Sequence, residues 1–135
     1  TPEAIKKVGP DVLVVAAGSE VQKPSMPGID LPHVKTSIEA LMSDGKLAEP
    51  ILVAGGGLVG CEVAVYFGSQ GKKVTLVEML PQVAADLDPV SRMELLEMLN
   101  RNKVSVLTGY QLLEIEKGKA IVFRDGRAAS LEAAT

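Results

Sequence analysis

Tryptophan is absent, and aromatic residues make up 3% of the 135 positions, as two Tyr and two Phe. The core cannot rest on large rings, so Val, Leu, Ile, Ala and Met must fill it. Cysteine occurs once, as Cys61, which excludes an internal disulfide and a C-x-x-C redox pair. Histidine also occurs once, as His33; a single His with a single Cys makes no convincing zinc site. The net charge is −3 and no arginine-rich run exists, so nucleic-acid binding gains no support. The longest apolar stretches are broken by Gly or charge well short of a membrane span. Thr1-Pro2-Glu3-Ala4-Ile5-Lys6-Lys7 carries no apolar segment of the kind found in a signal peptide. A lone cysteine makes a reducing, cytoplasmic setting the expectation.

What is present points to a folded α/β chain. Apolar residues are 47% of the sequence, too many for a disordered one. Thirteen glycines beside an aliphatic core palette suit a sheet covered by helices. The length fits one domain with a real core. The start at Thr1-Pro2 and the stop at Leu131-Glu132-Ala133-Ala134-Thr135 suggest a piece of a larger enzyme.

Asp11 to Ala17 is a continuous apolar run between Pro10 and Gly18 and is expected as a strand buried on both faces. Ser19 to His33 contains Pro24, Pro27, Gly28 and Pro32 and must be irregular. Thr36 with Glu39 forms a capping-box pattern that starts a short helix, Ser37 to about Ser43, closed by Gly45. Ile51 to Ala54 is a short buried strand. Helix follows from about Leu58 to Ser69, apolar nearly all round, with Gly71 at its end. Val74 to Glu78 is the second strand. Asp88-Pro89 opens a helix that runs to about Asn102 and carries Val90, Met93, Leu96 and Leu99 at helical spacing. Met79, Met93 and Met98 are expected in the core or along a lining. Val104 to Leu107 is the third strand. Gln111 to Ile115, Ala120 to Phe123 and a weak stretch near Ala128 to Glu132 form a meander, with Asp125-Gly126 the clearer hairpin signal.

The chemistry lies in Gly55-Gly56-Gly57-Leu58-Val59-Gly60. A G-x-G-x-x-G pattern alone says little, but here it follows a strand directly and opens a helix. An acid, Glu78, ends the next strand 23 positions after Gly55. Gly55 permits the sharp turn, Gly57 lets a pyrophosphate approach the backbone, and Gly60 lets the helix pack closely. The amides and partial positive charge at the helix start then bind the diphosphate. No G-K-S/T follows, which argues against a P-loop NTPase. Glu78 can accept hydrogen bonds from the adenosine ribose and would repel a 2′-phosphate. Met79-Leu80-Pro81-Gln82-Val83 offers no Arg or Lys for that phosphate, so NAD is expected over NADP. Glu62, early in an apolar helix, must face a ligand, a partner or water. Cys61 is expected as a packed small residue and His33 as a surface one. The fold expected is a Rossmann-like parallel sheet with helices on both faces and an antiparallel β-meander.

Ile51 to Glu78, with G-G-G-L-V-G-C-E-V-A inside it, resembles the nicotinamide-nucleotide domain of the pyridine nucleotide-disulfide oxidoreductase superfamily. The preceding D-V-L-V-V-A-A-G and P-x-x-P-G resemble the end of that family's FAD domain, with Ala17 where a threonine is usual. From about Pro10 to Glu132 the chain looks most like the C-terminal flavoprotein half of 2,4-dienoyl-CoA reductase and NADH:flavin oxidoreductases of the old yellow enzyme type. The resemblance implies a parent with an FMN-bearing barrel, an iron–sulfur cluster, and FAD and NAD(P)H modules, in which hydride electrons pass from NADH to FAD. It implies that Gly55, Gly57, Leu58, Val59 and Gly60 meet the pyrophosphate, that Glu78 meets the ribose, that Glu62 lies near the nicotinamide, and that Ala17 and Gly18 pass near FAD. It divides the chain into 1–18, the terminal strand of a truncated FAD domain; 19–50, a linker with a short helix; and 51–135, an NAD(P)-binding domain lacking its final strand. The first FAD phosphate loop, the cluster cysteines and a redox disulfide are missing, so the fragment alone is expected to be inactive.

Two other classes stay open: a non-catalytic nucleotide-sensing domain, and a structural fragment that binds nothing. The expected partners are a nicotinamide dinucleotide and the FAD and FMN-barrel domains, with no nucleic acid and no membrane. Because the final strand is expected to be missing, Val12 to Ala16 is expected to dock parallel to Ile51 to Ala54, within its own chain or as a strand-swapped dimer.

Overall fold

A computed structural model of the chain describes residues 1–18 and 20–135; Ser19, first residue of the expected proline-rich loop, lies outside them. Three short strands form a parallel sheet in the order β1 (Ile51–Ala54), β2 (Val74–Glu78), β3 (Ser105–Thr108). Ile51 pairs with Val74, Ala54 with Val77, and Glu78 with Thr108. The C-terminal ends of all three therefore emerge on one side, where the glycine loop begins. Helix α3 (Leu58–Ser69) packs on β1, β2 and on α4 (Pro89–Arg101), which also meets β3. A second sheet is an antiparallel meander of β4 (Gln111–Glu116), β5 (Lys119–Arg124) and β6 (Arg127–Glu132). Asp125 and Gly126 both take positive φ (50° and 80°), as the two-residue hairpin signal requires.

The helices follow from their ends. In α2 (Ser37–Leu41) the Thr36 hydroxyl accepts from Glu39 N–H while the Glu39 carboxylate accepts from Thr36 N–H. Both halves of the capping box are present, and the helix stops two residues before the expected Ser43. A further short helix, α1 (Pro2–Val8), was not expected. Its signals are in the sequence: Thr1 accepts from Ala4 N–H, proline opens the helix, and Gly9 leaves it at φ 61°. No α1 side chain is buried.

Aliphatic packing fills the core as the scarcity of rings demands. Leu76, Leu99, Val74, Val83 and Val122 are fully buried, with Phe67 as the one large ring among them. The buried stripe of α4 differs from the one expected. Leu95 and Leu99 are buried and Leu96 is partly so, whereas Val90 and Met93 are about two-thirds exposed, at 70% and 68%. Met79 and Met98 are exposed as well. The helix reaches the core only through its second half, so apolar residues in its first turns meet solvent despite their spacing.

The expected strand at Asp11 to Ala17 is corrected outright. Residues 11–18 form no strand, and Val12, Val14 and Val15 are more than three-quarters exposed. Within the chain they do not dock on β1. The position beside β1 is entered from the other end of the chain: Leu52 N–H donates to the Thr135 carbonyl at 2.9 Å, and Ala134 N–H donates to the Pro50 carbonyl at 2.8 Å. A hydrophobic run becomes a buried strand only where an edge is free to receive it, and at Leu52 that edge is occupied.

The entry to α4 makes a pH test possible. Asp88 Oδ1 accepts from Val90 N–H at 3.0 Å and from Ser91 N–H at 3.1 Å. The Ser91 hydrogen bonds hold its carboxyl below the ordinary value of 3.8. A depressed folded-state value means stability that is complete above the unfolded-state value and is lost as pH falls through the folded one. The urea midpoint is therefore expected to fall as the medium is acidified below that range. Asp88→Asn, which keeps a capping oxygen but cannot titrate, should flatten that part of the profile.

Candidate functional site

The glycine loop sits where β1 stops and α3 starts. Gly55 takes φ 102°, a backbone region that L side chains avoid, and this turns the chain from strand to helix. Gly57 is the N-cap residue of α3 and no side chain caps the helix. Among the described residues, then, no side chain meets the N–H groups of its first turn, and they form a positive helix end. A Cβ placed on Gly57 would meet nothing within 4 Å. One placed on Gly60 would collide with the Gly55 carbonyl. Gly60 thus lets the helix close on its own entry loop, while Gly57 leaves space open above it.

The position between Gly55 and Gly57 carries a constraint that the motif does not encode. A Cβ on Gly56 would lie 2.6 Å from Val83 Cγ1 and 2.8 Å from Glu78 Cβ. Gly56 N–H donates to Glu78 Oε2 at 2.6 Å, and its carbonyl accepts from Ala84 N–H at 2.7 Å and from the Cys61 thiol at 3.4 Å. Val83 and Ala84 are buried, and Ala84 takes a positive φ of 50°. The segment after β2 therefore folds back over the loop and fixes it. Val83 and Ala84 lie in a stretch without periodicity, so sequence reasoning missed them.

Glu78 is 8% exposed. Its Oε2 accepts from Gly56 and its Oε1 accepts from Leu80 N–H, both at 2.6 Å. Each oxygen has a second lone pair available to a further donor. Cys61 is fully buried, and burial first, then the negative charges of Glu78 and Glu62, push its thiol above the usual 9.0. It is a packed residue, as expected.

A cleft of about 990 Å³ opens at this end of the sheet. Gly55, Gly57, Leu58, Val59, Gly60 and Glu78 all line it. The structure thus brings six of the expected site residues together. Glu62 stands apart on the exposed side of α3, along a second, shallower groove with Tyr66 and Leu95. Ala17 and Gly18 are exposed and do not line the cleft. His33 is half-buried and lines it, with Nε2 buried and unpaired among the described residues; the expectation of a plain surface residue is corrected here. Its loop is held inward, since Pro27 accepts from Ile115 N–H of β4 at 3.0 Å.

Two alanine substitutions should separate packing from binding. Gly60→Ala must displace the Gly55 carbonyl and is expected to cost about 1–3 kcal/mol in urea denaturation, the scale of overpacking. Gly57→Ala has room and a permitted backbone, so its denaturation midpoint should stay near that of the parent. A Gly57→Ala protein as destabilised as Gly60→Ala would contradict the open geometry.

Comparison with known proteins agrees with this geometry. The family model described as pyridine nucleotide-disulphide oxidoreductase matches residues 3–135. The chain is 35% identical over 130 residues to an NADH oxidase of Thermoanaerobacter brockii, covering 93% of this chain and 20% of that protein. It is 36% identical over 107 residues to a cinnamate reductase of Clostridium sporogenes, covering 77% and 16%. Among solved structures, a 2-naphthoyl-CoA reductase complex superposes with a TM-score of 0.83 at 26% identity, over 99% of this chain and 20% of that one. A water-forming NADH oxidase from Lactobacillus brevis bound to NADH superposes with a TM-score of 0.67 at 25% identity, over 87% and 28%. The chain spans a fifth or less of the length of the two curated relatives. By the match over nearly its whole length, this chain belongs to the pyridine nucleotide-disulphide oxidoreductase family.

Proposed function

We propose that this chain is the NAD(H)-binding module of a larger flavin oxidoreductase, one that passes hydride electrons from NADH to FAD. The observation that carries the reading is the open space above Gly57 at an uncapped helix start, lined by the same cleft as a buried carboxylate, Glu78. The amides of Leu58, Val59 and Gly60 would hold the diphosphate. Glu78 would accept from the adenosine ribose with the lone pairs left free by Gly56 and Leu80. The dihydronicotinamide, when bound, supplies the hydride. The residues of this chain contribute binding and orientation.

The finer reading is a parent of the 2,4-dienoyl-CoA reductase or old yellow enzyme type, with FAD, FMN and an iron–sulfur cluster in other domains and a cytoplasmic setting. In its support, relatives named for cinnamate, bilirubin and 2-naphthoyl-CoA reduction match this chain over a fifth or less of their length. Ala17 and Gly18 stand exposed, and a Cβ on Gly18 would meet nothing within 4 Å. Glu62, on an exposed helix face, is available to a nicotinamide or to a neighbouring domain.

Titration by nucleotide fluorescence tests the module. NADH should bind more tightly than NADPH, because a 2′-phosphate would approach the Glu78 carboxylate. Equal or tighter NADPH binding would sink the assignment of Glu78. Glu78→Gln, which loses the charge and one acceptor oxygen, should weaken NADH by roughly 1–3 kcal/mol, the scale of lost hydrogen bonds to a charged group, and should narrow the preference. Gly57→Ala should bind NADH far less well than its unchanged stability would suggest.

A further inference from the structure

Tyr110 joins the third strand to the meander, and its surroundings are built. Its N–H donates to the Glu78 carbonyl at 3.0 Å, and Gly109 N–H donates to the Leu80 carbonyl at 3.0 Å. The β3–β4 junction is thus bonded directly to the residues that follow β2. The Arg124 guanidinium carbon lies 5.0 Å from the centre of the Tyr110 ring, and Arg124 Nε donates to Asp125 Oδ2 at 3.1 Å. A Cβ on Gly109 would lie 3.7 Å from Arg124 Nε, an ordinary van der Waals distance, so the arginine packs alongside the junction. Tyr110 lines the large cleft with Glu78 and Met79, whereas Arg124 does not. The arginine thus backs the ring away from the cleft.

We infer that Tyr110 is the base-stacking residue of the nucleotide site, with Arg124 as the residue that positions its ring. The inference rests on the module reading above and goes one step further. A ribose held by Glu78 carries its base at the adjacent carbon, so the base must lie within a ring's width of Glu78. Two aromatic residues line the cleft, and Phe67 is fully buried in the core. In a chain with four aromatic residues, Tyr110 is the one placed to offer a ring face there. Met79, which lines the same cleft and is 64% exposed, supplies a polarizable neighbour for a planar base. Stacking is tolerant of base identity, and it gives affinity for the adenosine end without contact to the nicotinamide.

Calorimetric titration with ADP-ribose, NADH and reduced nicotinamide mononucleotide tests this. Tyr110→Ala should weaken ADP-ribose and NADH about tenfold, equivalent to roughly 1.4 kcal/mol, and leave the mononucleotide unchanged. Tyr110→Phe should bind like the parent, and Arg124→Ala should weaken ADP-ribose less than Tyr110→Ala does. In the unsubstituted protein, ADP-ribose should shift the ring-proton resonances of Tyr110 upfield and leave those of Tyr66 in place, a readout that needs no variant to fold. Undiminished ADP-ribose affinity in Tyr110→Ala, or an unmoved Tyr110 ring, overturns the stacking role while the module reading stands. Failure of the unsubstituted protein to bind NADH at all overturns both.

Discussion

A buried carboxylate organises this end of the molecule. Glu78 reaches back from the second strand to receive Gly56 N–H and forward to receive Leu80 N–H. A carboxylate with so little solvent contact is costly unless its oxygens are met by donors, and both are met by main chain. That requirement fixes the distance between the glycine loop and the segment after β2. It also explains why Gly56 cannot carry a side chain, since a Cβ there would occupy the space of Glu78 and Val83. The loop geometry therefore follows from how one acid is satisfied, and the open space above Gly57 follows from the loop geometry.

Much of this was legible from local pattern. The strand, three glycines, an apolar helix and an acid-terminated strand are contiguous, and each has a physical requirement that few residue types meet. The capping box at Thr36 and the Asp125-Gly126 hairpin were legible for the same reason. What stayed hidden was non-local or one-sided. Val83 and Ala84 come from an aperiodic stretch and matter only because the chain folds back onto Gly56. Tyr110 and Arg124 are separated along the chain and meet through the meander. The spacing of Val90 and Met93 showed a helical face without showing where along the helix the core begins. The run at Val12 to Val15 carried strand chemistry but no information about whether an edge would receive it.

The two ends of the chain show how edges and apolar runs compete. Ala134 and Thr135 bond to Pro50 and Leu52 at the start of β1, while Val12 to Val15 extend into solvent. Sheet position is decided by which segment can bring donors and acceptors into register, and hydrophobicity alone does not decide it. Exposed valines of this kind are a solubility burden for the chain in isolation.

The lone cysteine has a use that its inertness creates. Cys61 is fully enclosed beneath Gly56 and donates its thiol proton to that residue's carbonyl. A water-soluble alkylating reagent can reach it only when the packing around it opens. With no second thiol in the sequence, the rate of alkylation becomes a clock for that local opening. The molecule thus carries an internal reporter of its local dynamics, readable without any added label.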